Sequence, residues 1–221
     1  MCIRDRFWII LFKTILSKLY HWKIYVVGSV EYQYPNHLFQ AGYFLDKKYY
    51  DENTIDFKHL LLSEKNQSLL KDIQNSNSVG VHIRRGDYMT KQNLVIFGNI
   101  CTQKYYHDAI RIITEKVNDA VFYVFSDDIS WVQTHLDIPN AVYVNWNTGE
   151  SSIYDMYLMS SCKYNIIANS TFSYWAARLN KKTNMVIYPS KWYNTFTPDI
   201  FPESWCCLLY TSPSPRDLST S

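Results

Sequence analysis

Residues 79–88 read Val-Gly-Val-His-Ile-Arg-Arg-Gly-Asp-Tyr, a short apolar run that ends in a histidine, two arginines, a glycine and an aspartate. Two adjacent guanidinium groups are costly to leave unpaired. Arginine presents a planar fork that matches phosphate or carboxylate, so the pair suits the gripping of a dianion. The run is predicted to be a strand, and in an open α/β sheet ligands sit beyond the carboxyl ends of the strands. Alternation puts Val79, Val81 and Ile83 on one face and Gly80, His82 and Arg84 on the other. His82 and Arg84 then share a face, with Gly80 leaving room below them. Arg84 is the expected phosphate ligand. Arg85 is expected to point the opposite way, as a structural partner for an acid such as Asp87 or Asp127; the alternative is that both arginines are surface residues at a strand end.

Two other predicted strand ends carry polar clusters. Ser126-Asp127-Asp128 follows the apolar run Val121–Phe125, and Asn169-Ser170-Thr171 follows Tyr164–Ala168. In a parallel sheet all three clusters open on one edge. The third begins a helix, whose free N–H groups and dipole favour an anion. Asn169, Ser170 and Thr171 would add side-chain donors there, or act as an ordinary N-cap. Asp127 or Ser126 could likewise cap a short helix. Two neighbouring carboxylates without a histidine cluster give no case for a metal.

The elements that must position these clusters alternate. Ile24–Tyr32 and Phe39–Phe44 read as strands with Pro35-Asn36 as the turn between them. Phe57–Ile73 has apolar residues near helical spacing. After the strand Val79–Arg84 come a helix at Gln103–Val117, a strand at Val121–Phe125, a helix at Asp128–Leu136 and a strand at Ala141–Asn145. A helix at Ser151–Ser161, a strand at Tyr164–Ala168, a helix at Thr171–Leu179 and a strand at Met185–Tyr188 complete the series. Strands alternating with helices through short connections predict a parallel sheet covered on both faces, an α/β Rossmann-like unit. There is no GxGxxG fingerprint.

Composition sets the outer limits. The chain has 221 residues, 47% of them apolar, and a net charge of +2, with a pI near 8.2. No basic run argues for nucleic acid. Nineteen tyrosines and seven tryptophans suit a packed core or platforms for sugar rings. Five cysteines, Cys2, Cys101, Cys162, Cys206 and Cys207, lack metal or CxxC spacing and read as reduced thiols in a cytoplasmic protein. Phe7 to Leu19 is broken by Lys13 and Lys18, so it suits an amphipathic helix and at most a peripheral membrane contact. Residues 1–6 and 208–221 have no apolar period and look foreign to the fold.

The ordered segments HIRRGDY (His82–Tyr88), FSDD (Phe125–Asp128) and NSTFSYW (Asn169–Trp175) resemble glycosyltransferase family 11, the α-1,2-fucosyltransferases. Ala41-Gly42-Tyr43-Phe44 and Lys48-Tyr49-Tyr50 extend the likeness, with Leu45 where glutamine is common. The resemblance implies the C-terminal half of a two-domain GT-B glycosyltransferase. It implies GDP-fucose as donor, a galactose-terminated glycan as acceptor, inversion at the anomeric carbon and no metal or other cofactor. By the same resemblance Arg84 binds the pyrophosphate, His82 lies against the guanosine, and Asn169 and Ser170 line the phosphate pocket. Arg85, Asp127, Asp128 and Thr171 would complete the donor site. Asp87 is a candidate for the base that takes the acceptor proton. Nothing like the family's glycine-rich turn GGxGNQ precedes Phe7. An N-terminally truncated chain is therefore expected, with residues 7–75 a remnant of the acceptor-side domain and 76–205 the donor-binding domain. The rival readings are a nucleotide-sugar-binding module without turnover, a fucosyltransferase of another linkage and a glycan-binding domain that uses the aromatics.

Overall fold

The computed structural model describes residues 25–27, 39–41 and 56–209. The chain divides into two units, Met1–Asp51 with Pro198–Ile200 and Glu52–Thr197 with Phe201–Ser221. In the first, strands β1 (Tyr25–Val27) and β2 (Phe39–Ala41) pair in parallel. Parallel neighbours are not the arms of a hairpin; the turn expected between these strands is Pro35-Asn36. That turn, the segment Phe7–Leu19, the run from Gly42 to Tyr50 and residues 1–6 lie outside the described residues.

The second unit is a six-stranded parallel sheet. Its strands are β3 (Asn77–Ile83), β4 (Ala120–Ser126), β5 (Ala141–Val144), β6 (Tyr164–Ile166), β7 (Met185–Pro189) and β8 (Cys206–Leu208). The spatial order is β5-β4-β3-β6-β7-β8, so the strand order reverses between β3 and β6. This is the doubly wound arrangement, and its ligand crevice lies at that reversal.

Helices cover both faces. The side chains of Val79, Val81 and Ile83 pack with Tyr106, Ile110 and Ile113 of α3 (Gln103–Lys116) and Val132 of α4 (Ile129–His135). The other face carries Leu69 and Ile73 of α1 (Glu64–Asn75), Leu158 and Met159 of α5 (Ser152–Ser160), and Ala176 and Ala177 of α6 (Thr171–Leu179). Ile73, Ile113 and Leu158 are fully buried, and burying such a side chain contributes roughly 1.5–3 kcal/mol. The alternation read from β3 therefore holds. The space beside Gly80 is filled, however. A Cβ there would lie 2.9 Å from Asn165 Nδ2 and 3.0 Å from Met159 Cγ, so the glycine serves close packing rather than leaving room under His82.

Caps set the helix ends. Ser63 accepts from the Asn66 N–H, so α1 starts at Glu64 and not at Phe57. Leu61, counted toward that earlier start, is exposed. Asp128 caps α4 through the Trp131 N–H, a role expected of Asp127 or Ser126. α1 packs on the sheet of the second unit, ahead of the boundary expected at residue 75. Among the described residues, one α-helix and one strand had no reading in the sequence. One is α2 (Lys91–Phe97), capped by Thr90. The other is β8, which pairs with β7 and places Leu208 opposite Pro189, inside the sheet and not in a foreign tail.

Candidate functional site

β3 ends at the reversal point, and the next four residues turn sharply. A short 3-10 turn at Gly86–Met89 follows Arg85. A Cβ on Gly86 would collide with Asp127 Oδ2, so glycine is what lets the two loops meet. Asp127 then holds the turn from both sides. Its Oδ1 accepts the Arg85 backbone N–H at 2.9 Å, and its Oδ2 pairs with Arg84 at 2.9 Å.

The two arginines part as alternation predicts, but with different partners. Arg84 binds Asp87 at 2.6 Å and Asp127 at 2.9 Å. Arg85 binds Asp128 at 3.2 Å and lies 3.7 Å from the centre of the Trp131 ring. Asp87 is thus committed to Arg84 and not to Arg85. The Arg84 pairs are partly exposed, with side-chain exposures of 34% for Arg84 and 55% for Asp87. Such pairs contribute roughly 0–1 kcal/mol, so an incoming dianion can displace a carboxylate at small cost.

A cleft of about 520 Å³ opens beside β3, walled by His82, Arg84, Asp127, Asn147, Asp155 and Phe172 among others. His82 is buried and its ring lies 4.9 Å from that of Phe172. Burial and the nearby Arg84 charge hold its pKa down at about 3, so the imidazole is neutral. Its Nδ1 has no hydrogen-bond partner among the described residues. Buried polar atoms seldom stay unpaired, and a ligand in this cleft could satisfy it. Asp155, on α5, was missed in the sequence. It lies on the stripe of Leu158 and Met159, a charge where the helix should be apolar, and that placement was its signal. Its Oδ1 accepts from Asn147 at 2.6 Å, and burial lifts its pKa to about 7.

The third cluster is more structural than expected. Both N–H groups of the Asn169 amide are taken, by the carbonyls of Phe97 (3.2 Å) and Trp192 (3.1 Å). Asn169 therefore offers a ligand no side-chain donor and instead ties the β6 loop to the end of α2 and to the loop after β7. Its own carbonyl accepts from Tyr88 Oη at 2.9 Å, which joins the β3 turn to the β6 loop. Ser170 is the N-cap residue of α6 but makes no side-chain cap. Ser173 closes that turn instead, by accepting from the Ala168 N–H. The first-turn N–H groups of α6, beginning at Thr171, have no partner inside the helix, and Phe172 of that turn lines the cleft. Among the described residues no group of three or more His, Cys, Asp or Glu could hold a metal ion, and no helix is long and apolar enough to cross a membrane.

The family model for glycosyl transferase family 11 matches residues 10–208. An alpha-1,2-colitosyltransferase of Escherichia coli is 35% identical over 193 residues, covering 80% of this chain and 62% of that protein. The O-antigen biosynthesis glycosyltransferase WbnK of Escherichia coli is 44% identical over 122 residues, 54% of this chain and 40% of that one. The galactoside alpha-(1,2)-fucosyltransferase 2 of Pongo pygmaeus is 29% identical over 128 residues, 55% and 37% of the two chains. The chain therefore spans less than two thirds of the length of these relatives.

Proposed function

This chain belongs to glycosyl transferase family 11, and on that footing we propose that it is the donor-binding part of a GT-B α-1,2-fucosyltransferase. Fucose passes from GDP-fucose to the 2-hydroxyl of a terminal β-galactose with inversion and without a metal. The observation that carries this is the convergence of a neutral His82, Arg84 and Asp155 on one cleft at the strand-order reversal. The volume suits a nucleotide sugar.

Guanine presents two adjacent N–H donors, and the Asp155 carboxylate is the acceptor placed to take them. His82, on the wall of the same cleft, packs against the nucleoside in this reading. Arg84, with the first turn of α6, faces the pyrophosphate. The acceptor oxygen bonds to the anomeric carbon as the bond from that carbon to the β-phosphate oxygen breaks, and GDP leaves with the electron pair. Charge grows on the phosphate as the bond lengthens. Donors already fixed there stabilise the transition state by roughly 3–4 kcal/mol each. The acceptor proton goes to a carboxylate, and Asp87 beside Arg84 is the candidate.

The likeness to the alpha-1,2-colitosyltransferase supports a second reading of the donor sugar. Colitose is fucose without its 3-hydroxyl, so the same cleft and linkage would serve either. The test is to join the chain to the N-terminal half of a family 11 relative, incubate it with GDP-fucose or GDP-colitose and lactose, identify the linkage of any product, and measure GDP binding of the chain separately. Fucosylated lactose linked at the 2-hydroxyl is expected. Preference for GDP-colitose selects the second reading. GDP binding without transfer leaves a nucleotide-sugar-binding module. Absence of GDP binding overturns the donor site itself.

A further inference from the structure

Asp155 does not stand alone. Asn66, on α1, is almost fully buried, and its amide pairs reciprocally with that of Asn147. Asn66 Nδ2 donates to Asn147 Oδ1 at 3.0 Å, and Asn147 Nδ2 donates back to Asn66 Oδ1 at 3.1 Å. The indole N–H of Trp146 donates to the same Asn66 Oδ1 at 2.7 Å. An indole can only donate, so the Asn66 oxygen must face it. That fixes the Asn66 amide, and the reciprocal pair then fixes Asn147. The remaining N–H of Asn147 is left pointing at Asp155 Oδ1, 2.6 Å away. Asp155 is thereby presented to the cleft as an acceptor, with Oδ2 unbonded among the described residues.

We infer that Asn66 is a positioning residue for base selection: held by Trp146, it sets the polarity of Asn147 and Asp155, so that the cleft accepts a purine edge with two N–H donors. The inference rests on the nucleotide reading proposed above. It assigns a specificity role to a side chain on α1 that does not itself line the cleft.

The test is calorimetric titration of the full chain with GDP, IDP and ADP. IDP lacks the 2-amino group, and ADP lacks the N1 proton. The unsubstituted chain should bind GDP roughly tenfold more tightly than IDP, the scale of one hydrogen bond to a charged group, and ADP more weakly still. Asn66→Ala should shrink the GDP-to-IDP ratio by at least about threefold, because Asn147 is free to flip. A merely structural role would weaken GDP and IDP by the same factor, and that outcome overturns the inference. Circular dichroism checks that the variant folds. If it does not, Trp146→Phe carries the test, since it removes the N–H that orients Asn66 and keeps an aromatic ring on the core and under Lys65. A reduced ratio supports the positioning role, and an unchanged ratio overturns it. No GDP binding by the unsubstituted chain fails the nucleotide reading, and the positioning role falls with it. GDP binding with no preference over IDP fails the positioning role alone.

Discussion

Arg84 and Arg85 are consecutive, yet they leave β3 toward opposite faces of the sheet and meet different surroundings. Arg84 lines the cleft with His82 and Asp155, and its partners are two carboxylates within reach of solvent. Arg85 turns toward α4, where Asp128 and the Trp131 ring hold it, and Trp131 packs on the core beneath. The same guanidinium group is exchangeable in one place and clamped in the other. A charge whose partners are weakly bound can be handed to a ligand. A charge stacked on a core aromatic contributes to the fold through packing as well as pairing.

The sharpest way to break this comparison is to remove each arginine. Arg84→Ala should lower transfer by at least about 10²-fold, the scale of losing one preorganised donor to a developing oxyanion. Arg84→Lys should restore little of it, because a point charge cannot form the fork. Steady-state rates of fucosyl transfer, measured with the chain joined to a relative's N-terminal half, check both. Near-normal turnover in the alanine variant would falsify the assignment of Arg84 to the phosphate.

Asp155→Asn comes next and separates binding from stability. GDP affinity should fall by roughly 10–100-fold, since a charged acceptor is lost. Stability should move the other way. Burial lifts the Asp155 pKa from 3.8 to about 7, so between those values the folded chain keeps a proton that the unfolded chain releases. The group's contribution to stability therefore falls as pH rises through that window. The neutral amide escapes this penalty and can still accept from Asn147. The variant should gain roughly 1–4 kcal/mol at about pH 8 and little at about pH 4. Chemical denaturation at the two pH values measures it. Equal effects at both would show that Asp155 is not lifted by burial.

Arg85→Ala should show the reverse profile. It loses the Asp128 pair and the Trp131 contact, worth together roughly 1–2 kcal/mol of stability. GDP binding should weaken severalfold at most. A GDP defect as large as that of Arg84→Ala, with an unchanged melting temperature, would erase the distinction and make Arg85 a second phosphate ligand.

The smallest expected effect is none. EDTA should leave transfer unchanged, because Arg84 and the α6 terminus supply the positive charge. Loss of activity that returns with Mn²⁺ would instead make Asp127 and Asp128 metal ligands.

Patterns in the chain determined the doubly wound series, because periods of 2 and 3.6 are local properties of strands and helices. The parity of Val79 to Arg84 likewise foretold which side chains share a face. Elements without a period stayed hidden. α2 has its apolar residues in one block, Leu94 to Phe97, and β8 is three residues that become a strand only by pairing with β7. The site divides in the same way. The strand ends His82–Tyr88, Phe125–Asp128 and Asn169–Trp175 were legible as clusters of chemistry. Which members remain open to a ligand was decided by partners distant in the chain. Asn169 is used up by carbonyls 72 and 23 residues away, and Asp155 is addressed through Asn66, whose partner Asn147 lies 81 residues along. Local sequence fixes backbone preference and face. The hydrogen-bond saturation of a buried polar group depends on neighbours that only the folded sheet brings within 3 Å or so.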